Sequence, residues 1–239
     1  MSHDNHHHKL ELKSANCPYY CGQCNQLGFG LSYTCVKSEC NIFYHKLCES
    51  PQTLIMHPFS TKCVLKFYPN KYGKESSCDV CGKKIKGYHC KCLCNFVTRH
   101  VHPSCLSYEP ALVAIDGLTL NLKKVATSAC LHCGNMKISS KVPGWAYVSS
   151  CGDYCYHVSC VMDIINRKWK NGLITGESDP FQTIRPEFLS DVDKRQQLVI
   201  GKKKEKSMKK AATILSAIFN VLTGNSLGLV GNAQKYFFG

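Results

Sequence analysis

The hydrophobic pattern falls into two regimes. Up to about residue 160, apolar positions come in short extended runs. Tyr33-x-Cys35 and Tyr88-x-Cys90 are two such runs, and their aromatics are expected to form small cores. Beyond Cys160 the period lengthens. Met162, Ile165 and Trp169 fall at helical spacing and predict a short helix over Val161–Trp169 that packs back on the segment before it. Residues 171–186 are rich in Gly and Pro and read as loop. A second helix is expected over Glu187–Ile200. A third apolar run, Ala211–Leu222, keeps one polar face through Thr213, Ser216, Asn220 and Thr223, with Gly224 placed to end it. That run is shorter than the roughly 20 residues a membrane-spanning helix needs.

Cysteine spacing changes this picture most. The 239 residues hold 18 Cys and 11 His, a density that signals either a disulfide framework or metal sites. The polar, His-rich segment Met1–Lys13 does not resemble a secretory signal. The expectation is therefore an intracellular chain, in cytoplasm or nucleus, where thiols stay reduced and metal binding is favoured over disulfides.

An internal repeat carries the ligands. Cys21-x-x-Cys24 recurs 57 residues later as Cys78-x-x-Cys81, and His45-x-x-Cys48 recurs at the same offset as His102-x-x-Cys105. Cys130-x-x-Cys133 with His157-x-x-Cys160 is a third copy. Zinc takes four Cys or His ligands in a tetrahedron. A Cys-x-x-Cys turn supplies two from one side, and a His-x-x-Cys turn opening a short helix supplies the others. Gly22, Gly82 and Gly134 lie beside the first pairs, where such turns favour positive φ.

Each module also holds candidates for a second, interleaved site. These are Cys35 and Cys40, then Cys90 and Cys94, then Cys151, with opening ligands His8, His57 and Asp116. His57 is claimed by both the first and second modules and cannot serve two four-coordinate sites. In the third, Asp116 and Cys155 are weak candidates. The expectation is one complete Zn2+ in every module, a second in the first two, and about three to five Zn2+ per chain. Of the remaining residues, His6 and His7 read as a polar tract out of frame with His8. Cys17, Cys63 and Cys92 read as free or packed thiols. His100 loses to His102, which keeps the x-x-Cys spacing, and His89 and His132 read as solvated loop residues.

These motifs resemble the divergent C-one domain of plant cysteine/histidine-rich proteins, distant relatives of the diacylglycerol/phorbol-ester zinc finger. The resemblance rests on His8-Lys9-Leu10-Glu11-Leu12 and on Cys40-Asn41-Ile42-Phe43-Tyr44-His45-Lys46-Leu47-Cys48 in the first module. In the second it rests on His57-Pro58-Phe59 and Cys94-Asn95-Phe96. In the third it rests on Trp145, Tyr147, Cys151, Tyr154–Cys160 and Trp169. It covers residues 8 to about 170 and implies small zinc-stabilised α+β modules in tandem, β-rich with one short helix each, and interleaved zinc sites. The second module departs from the pattern with extra residues between Cys94 and His102, and the third has Asp116 for the opening His. The expected division is 8–56, 57–115 and 116–172 for the modules, with 173–239 as loop, basic linker and helical tail.

The formal charge is +14. Thiolate-bound zinc offsets part of it, because each ligating Cys gives up its proton. Lys202–Lys206 with Lys209 and Lys210 form a basic run ahead of the last apolar segment. The leading expectation is a non-catalytic interaction protein in signalling or stress and defence responses, as the resemblance implies, with an unknown protein partner. An anionic lipid or membrane surface is the alternative partner, reached peripherally through the basic tail. Nucleic acid and thiol–disulfide exchange rank below these: no long recognition helix is visible, and zinc ligation silences thiols.

Overall fold

The computed structural model describes residues 6–37, 39–69, 76–92, 99–114, 116–171 and 204–223. Cys94, the helix expected over Glu187–Ile200, Gly224 and nearly all of the 171–186 loop lie outside them. The chain divides into two units. The first comprises Met1–Tyr108 with Lys137–Trp145, and the second Glu109–Met136 with Ala146–Gly239.

Three small antiparallel sheets form the framework, each followed by a short helical segment with a His at its N-cap. In the first unit, β1 (Leu10–Tyr20), β2 (Leu27–Cys35) and β3 (Phe43–Tyr44) form one sheet, followed by α1 (Lys46–Glu49). Leu10 pairs with Cys35 and Leu12 with Tyr33; Leu10 and Tyr33 pack against a core of Cys21, Cys24, Tyr44 and Cys48, while Leu12 stays exposed. The second sheet runs β4 (Leu54–His57), β5 (Ser60–Tyr68), β6 (His89–Cys92) and β7 (His100–Val101), and a 3-10 turn at Pro103–Leu106 follows it. Leu65 pairs with Cys92 and Phe67 with Cys90, which puts Cys63, Leu65, Cys90 and Cys92 in one buried cluster. Cys63 and Cys92 are thus packed thiols, small hydrophobes in use. His89, expected in a solvated loop, instead sits in β6 at 3% exposure and stacks on Tyr68 with ring centroids 5.5 Å apart.

In the second unit, β8 (Ala111–Val113), β9 (Thr119–Lys123), β10 (Ala146–Ser149) and β11 (Cys155–His157) form the third sheet, and α2 (Val158–Lys170) follows. Every residue of β10 is buried, as expected for a central strand covered on both faces. Tyr147 pairs across to Tyr156, both fully buried, and the Tyr147 hydroxyl donates to the Glu109 carbonyl at 2.8 Å. That bond satisfies the one polar atom the ring brings inside. Met162 and Ile165 of α2 are buried, as their helical spacing predicts.

The last element, α3 (Lys204–Thr223), starts seven residues before the expected Ala211, so the basic run from Lys204 onward is helical and not a linker. Ala211, Ile214, Leu215 and Ile218 recur at three- and four-residue steps and are fully buried, with Phe219 beside them. The helix packs on α2 and β8. Each large apolar side chain buried this way stabilises the docked state by about 1.5–3 kcal/mol.

The two modules of the first unit interlock through their metal-binding turns. The Gln23 carbonyl, third residue of the first Cys-x-x-Cys turn, accepts from the Tyr88 N–H at 3.0 Å. The Val80 carbonyl, third residue of the second turn, accepts from the Trp145 N–H at 3.0 Å. Tyr88 immediately precedes β6 and Trp145 immediately precedes β10, so the same contact is made twice, each time by an aromatic from farther along the chain. Tyr88 packs against the first core, not that of its own module. Trp145 belongs with the first unit and not with the third sheet; its ring meets Phe59 edge-on at 4.7 Å and His57 at 5.9 Å.

Candidate metal centres

Four groups of side chains gather with their ligand atoms all within 4.8 Å of one another: Cys21, Cys24, His45 and Cys48; Cys78, Cys81, His102 and Cys105; Cys130, Cys133, His157 and Cys160; and His6, His8, Cys35 and Cys40. The first three are the sets that the spacing predicts.

The local chain builds each of these three in the same way. The Cys-x-x-Cys segment closes as a tight turn. The Cys21 carbonyl accepts from Asn25 N–H at 2.9 Å, and the Cys78 and Cys130 carbonyls accept from Gly82 and Gly134 at 2.8 Å. The residue after the second Cys takes positive φ: Asn25 at 57°, Gly82 at 70°, Gly134 at 74°. Asn tolerates this conformation better than other side chains do. Gly22 is thus not the first module's counterpart of Gly82; a Cβ there would meet the Tyr44 ring at 2.9 Å, so its smallness serves packing. The opposing His arrives on extended backbone as the N-cap of the helical turn, and its N–H points at the first Cys sulfur at 3.5, 3.4 and 3.4 Å in the three sites. The final Cys then lies three residues on, inside the first turn.

This geometry fits zinc. A tetrahedral ion with sulfur at ~2.3 Å and nitrogen at ~2.0–2.1 Å holds its ligand atoms roughly 3.5–3.8 Å apart. The His Nδ1 atoms lie 3.3 and 3.9 Å from Cys24 and Cys48, 3.4 and 3.9 Å from Cys81 and Cys105, and 3.4 and 3.8 Å from Cys133 and Cys160. In each case Nδ1 faces the sulfurs. The far nitrogen has a carbonyl to donate to in two sites: His102 Nε2 to Lys84 at 3.3 Å and His157 Nε2 to Met136 at 3.4 Å. Donation from Nε2 leaves Nδ1 with its lone pair for a metal. Lys84 and Met136 each lie three residues past the second Cys of their turn, so one loop supplies both ligand and orienting carbonyl.

The thiols themselves call for a cation. In each of the three Cys3His clusters one sulfur is driven toward thiolate by its neighbours. Cys130 is pulled down to about 3, first by the hydrogen bond from Cys160, whose own thiol is pushed up by that contact. Cys21 is lowered chiefly by Cys24, and Cys81 chiefly by Cys105, while Cys24 and Cys105 are raised. Three sulfurs crowded into a buried site cannot all ionise without a positive charge among them. The same burial raises Cys155 to about 12, but it lies in an apolar cluster with Ala126, Ala146 and Val148, where a neutral thiol is comfortable.

The fourth group differs from expectation in its last member. His8, Cys35 and Cys40 come together, but the fourth side chain is His6, not His57. The pairing of Leu10 with Cys35, continued by the Val36 N–H to the Lys9 carbonyl at 3.2 Å, lays the chain before β1 along the loop after β2. His8 Nδ1 lies 3.6 Å from Cys35 Sγ, and His6 Nδ1 3.8 Å from Cys40 Sγ. His6 and His8 lie two residues apart just ahead of β1 with ring centroids 4.9 Å apart, a neighbouring ligand that a frame set on His8 alone misses.

His57 is engaged elsewhere. Its Nδ1 accepts from the Phe59 N–H at 3.1 Å, which caps the turn between β4 and β5, and its ring is buried against Phe59 and Trp145. Cys90 points into the second core and burial pushes its thiol up to about 12. Asp116 Oδ1 accepts from the Leu118 N–H of its own turn at 3.3 Å, and exposed Cys151 lies 3.2 Å from Ser149 Oγ. Among the described residues, His57, Cys90, Cys151 and Asp116 join no metal cluster.

Gly28 is the tightest point beside the first site. A Cβ there would meet His45 Nε2 at 2.5 Å and the Tyr19 ring at 2.4 Å. Gly28→Ala is expected to tilt the His45 ring off its ligating geometry and weaken zinc at this site by about 10–100-fold, the usual effect of disturbing a ligand's support. Competition with a chromophoric chelator would read this as one weakened zinc among unchanged ones; wild-type affinity at every site would count against it.

Comparison of the chain with family models, with curated proteins and with solved structures finds no match.

Proposed function

We propose that the protein is a non-catalytic zinc-stabilised scaffold of the divergent C-one type, whose metals hold a surface for a protein partner in intracellular signalling. One observation carries this reading: each of the three Cys3His clusters offers four ligands from the chain itself. A catalytic zinc normally keeps a coordination position open for water, whereas four protein ligands close the tetrahedron. A structural ion of this kind shapes the polypeptide and leaves recognition to the surface around it.

Such a role also suits the thiols. A Cys-x-x-Cys pair bound to zinc has both sulfurs committed and is a poor disulfide reductant, so the zinc-loaded chain is expected to be inert toward insulin disulfides. The motifs from His8 to Trp169 support the divergent C-one reading, and that resemblance supports the signalling role by analogy, which for function is a weaker warrant than the site itself.

Native mass spectrometry tests the reading. The expected mass is that of the chain with four Zn2+, one for each gathered group. Cys24→Ser, Cys81→Ser and Cys133→Ser should each remove one. A chain that carries fewer than three zincs, or that gains activity from an open-site metal such as cobalt with exchangeable water, would defeat the scaffold reading.

A further inference from the structure

The third cluster is unlike the first two in one respect. In those, all four side chains are buried; in the third, Cys130 and His157 are buried but Cys133 and Cys160 are partly exposed. A competing chelator in solution reaches two of its four ligands directly. The same cluster is also built into the only long helix that follows a ligand pair among the described residues. His157 is the N-cap of α2 and Cys160 lies in its first turn. A zinc ion held at this site would fix both the start and the direction of α2.

What α2 covers gives that anchoring a consequence. α3 lays its apolar stripe on α2 and β8, with Ala211, Ile214, Leu215 and Ile218 fully buried. Lys204, Lys206, Lys209 and Lys210 precede that stripe within the same helix, against a single acid, Glu205. The helix is not long and apolar enough to cross a membrane. A basic segment leading into an amphipathic helix is the composition that lies flat on an anionic bilayer, with lysines among the headgroups and the apolar face in the acyl boundary. Docked on α2, that face is covered by protein.

We infer that zinc in the third cluster holds α3 in its docked position, and that loss of this one metal frees α3 to bind an anionic membrane surface. The inference rests on the zinc reading of that cluster. The step is simple ligand exchange: a chelator takes Zn2+ from the four protein ligands, and the thiolates released take protons from water. With the start of α2 unanchored, the stripe of α3 loses its cover. A helix draws most of its stability from packing its amphipathic face, so an uncovered α3 gains from a surface that accepts both of its faces. A lipid surface fits better than a nucleic acid because the buried stripe is aliphatic and the cations are confined to one end.

The experiment uses the full zinc-loaded chain. Cys133→Ser alters a ligand outside both helices, and Cys24→Ser removes a first-cluster ligand as the control. Zinc is counted by native mass spectrometry, helix release by hydrogen exchange of peptides within 211–223, and membrane binding by co-sedimentation with phosphatidylserine/phosphatidylcholine vesicles. Cys133→Ser is expected to lose one zinc, to lose about tenfold or more of its exchange protection in α3, and to gain about tenfold in vesicle binding over the wild type, with no gain on pure phosphatidylcholine. Cys24→Ser should lose a zinc and keep α3 protected. Adding Ile218→Asp to Cys133→Ser should abolish the vesicle binding, because it places a charge in the stripe that must enter the bilayer. If α3 stays protected after the third zinc is lost, or the freed helix ignores anionic vesicles, or the double variant still binds them, the inference is overturned. A wild-type chain with no third zinc would overturn both it and the metal reading of that cluster, which the zinc count makes distinguishable.

Discussion

Stripping zinc from the intact chain with a chelator is expected to abolish the first two sheets, with loss of much of the near-ultraviolet ellipticity and of the β signature, and restoring zinc should bring both back. The reason is the size of the cores. The first consists of Cys21, Cys24, Tyr44 and Cys48 with a few partly buried neighbours, and the second of Cys63, Leu65, Cys90 and Cys92. Half or more of each is cysteine. Cores of this scale contribute a few kcal/mol at most, whereas a structural zinc contributes about 10–16 kcal/mol of apparent binding free energy that is coupled to folding. Metal-free chain also carries the cost of crowded sulfurs: Cys105 and Cys48 are both raised by their sulfur neighbours. Near-native ellipticity at zero zinc would show that the sheets stand on their own and that the metal is an accessory.

Gly87→Ala is expected to be the most damaging single substitution that touches no ligand. A Cβ at this position would lie 2.0 Å from the Gln23 carbonyl oxygen, 3.0 Å from its carbon and 3.1 Å from Cys24 Cα. All three are backbone atoms of the first metal turn, held by the ligands on either side, so the neighbour cannot swing away as a side chain would. Relief requires the two modules of the first unit to move apart, and that breaks the adjacent hydrogen bond from Tyr88 N–H to the Gln23 carbonyl and that from Gln26 to the Lys84 carbonyl. Overpacking against rigid atoms costs about 1–3 kcal/mol, and each lost hydrogen bond adds roughly 1 kcal/mol. Chemical denaturation of the zinc-loaded variant should show this loss while the zinc count stays that of the wild type. Wild-type stability would mean that the modules do not lean on each other at this contact.

Both expectations depend on features that differ in how openly the chain displays them. Cys21 to Cys160 announce three sites because a metal-binding turn is local. Cys-x-x-Cys places two sulfurs on one ion whatever surrounds it, and His-x-x-Cys does the same from the start of a helical turn. Positive φ one residue past the second Cys is equally local, although Asn25 fills in the first module the role that Gly82 and Gly134 fill in the others. The Met162, Ile165, Trp169 spacing and the aliphatic run after Ala211 likewise report helices, because periodicity is a property of the segment alone.

Contacts between segments were not legible in this way. His6 completes the fourth cluster through the β1–β2 register, while His57 turns its ring toward Phe59 and Trp145; spacing offers His57 and reads His6 as a polar tract, and only strand pairing reverses the two. Tyr88 serves the core of the module before its own, and Trp145 leaves the third sheet for the first unit, because each N–H finds its acceptor on a metal turn far away in the chain. The buried face of α3 could suit a membrane, a partner or the protein itself, and in this fold it is packed on α2. The sequence alone determined the ligands of the three Cys3His sites and the helical character of α2 and of the apolar part of α3, since both follow from spacing within a few residues. Only the tertiary structure decided which histidine completes a site and which surface each aromatic and apolar face covers, since those depend on strand register and on packing between distant parts of the chain.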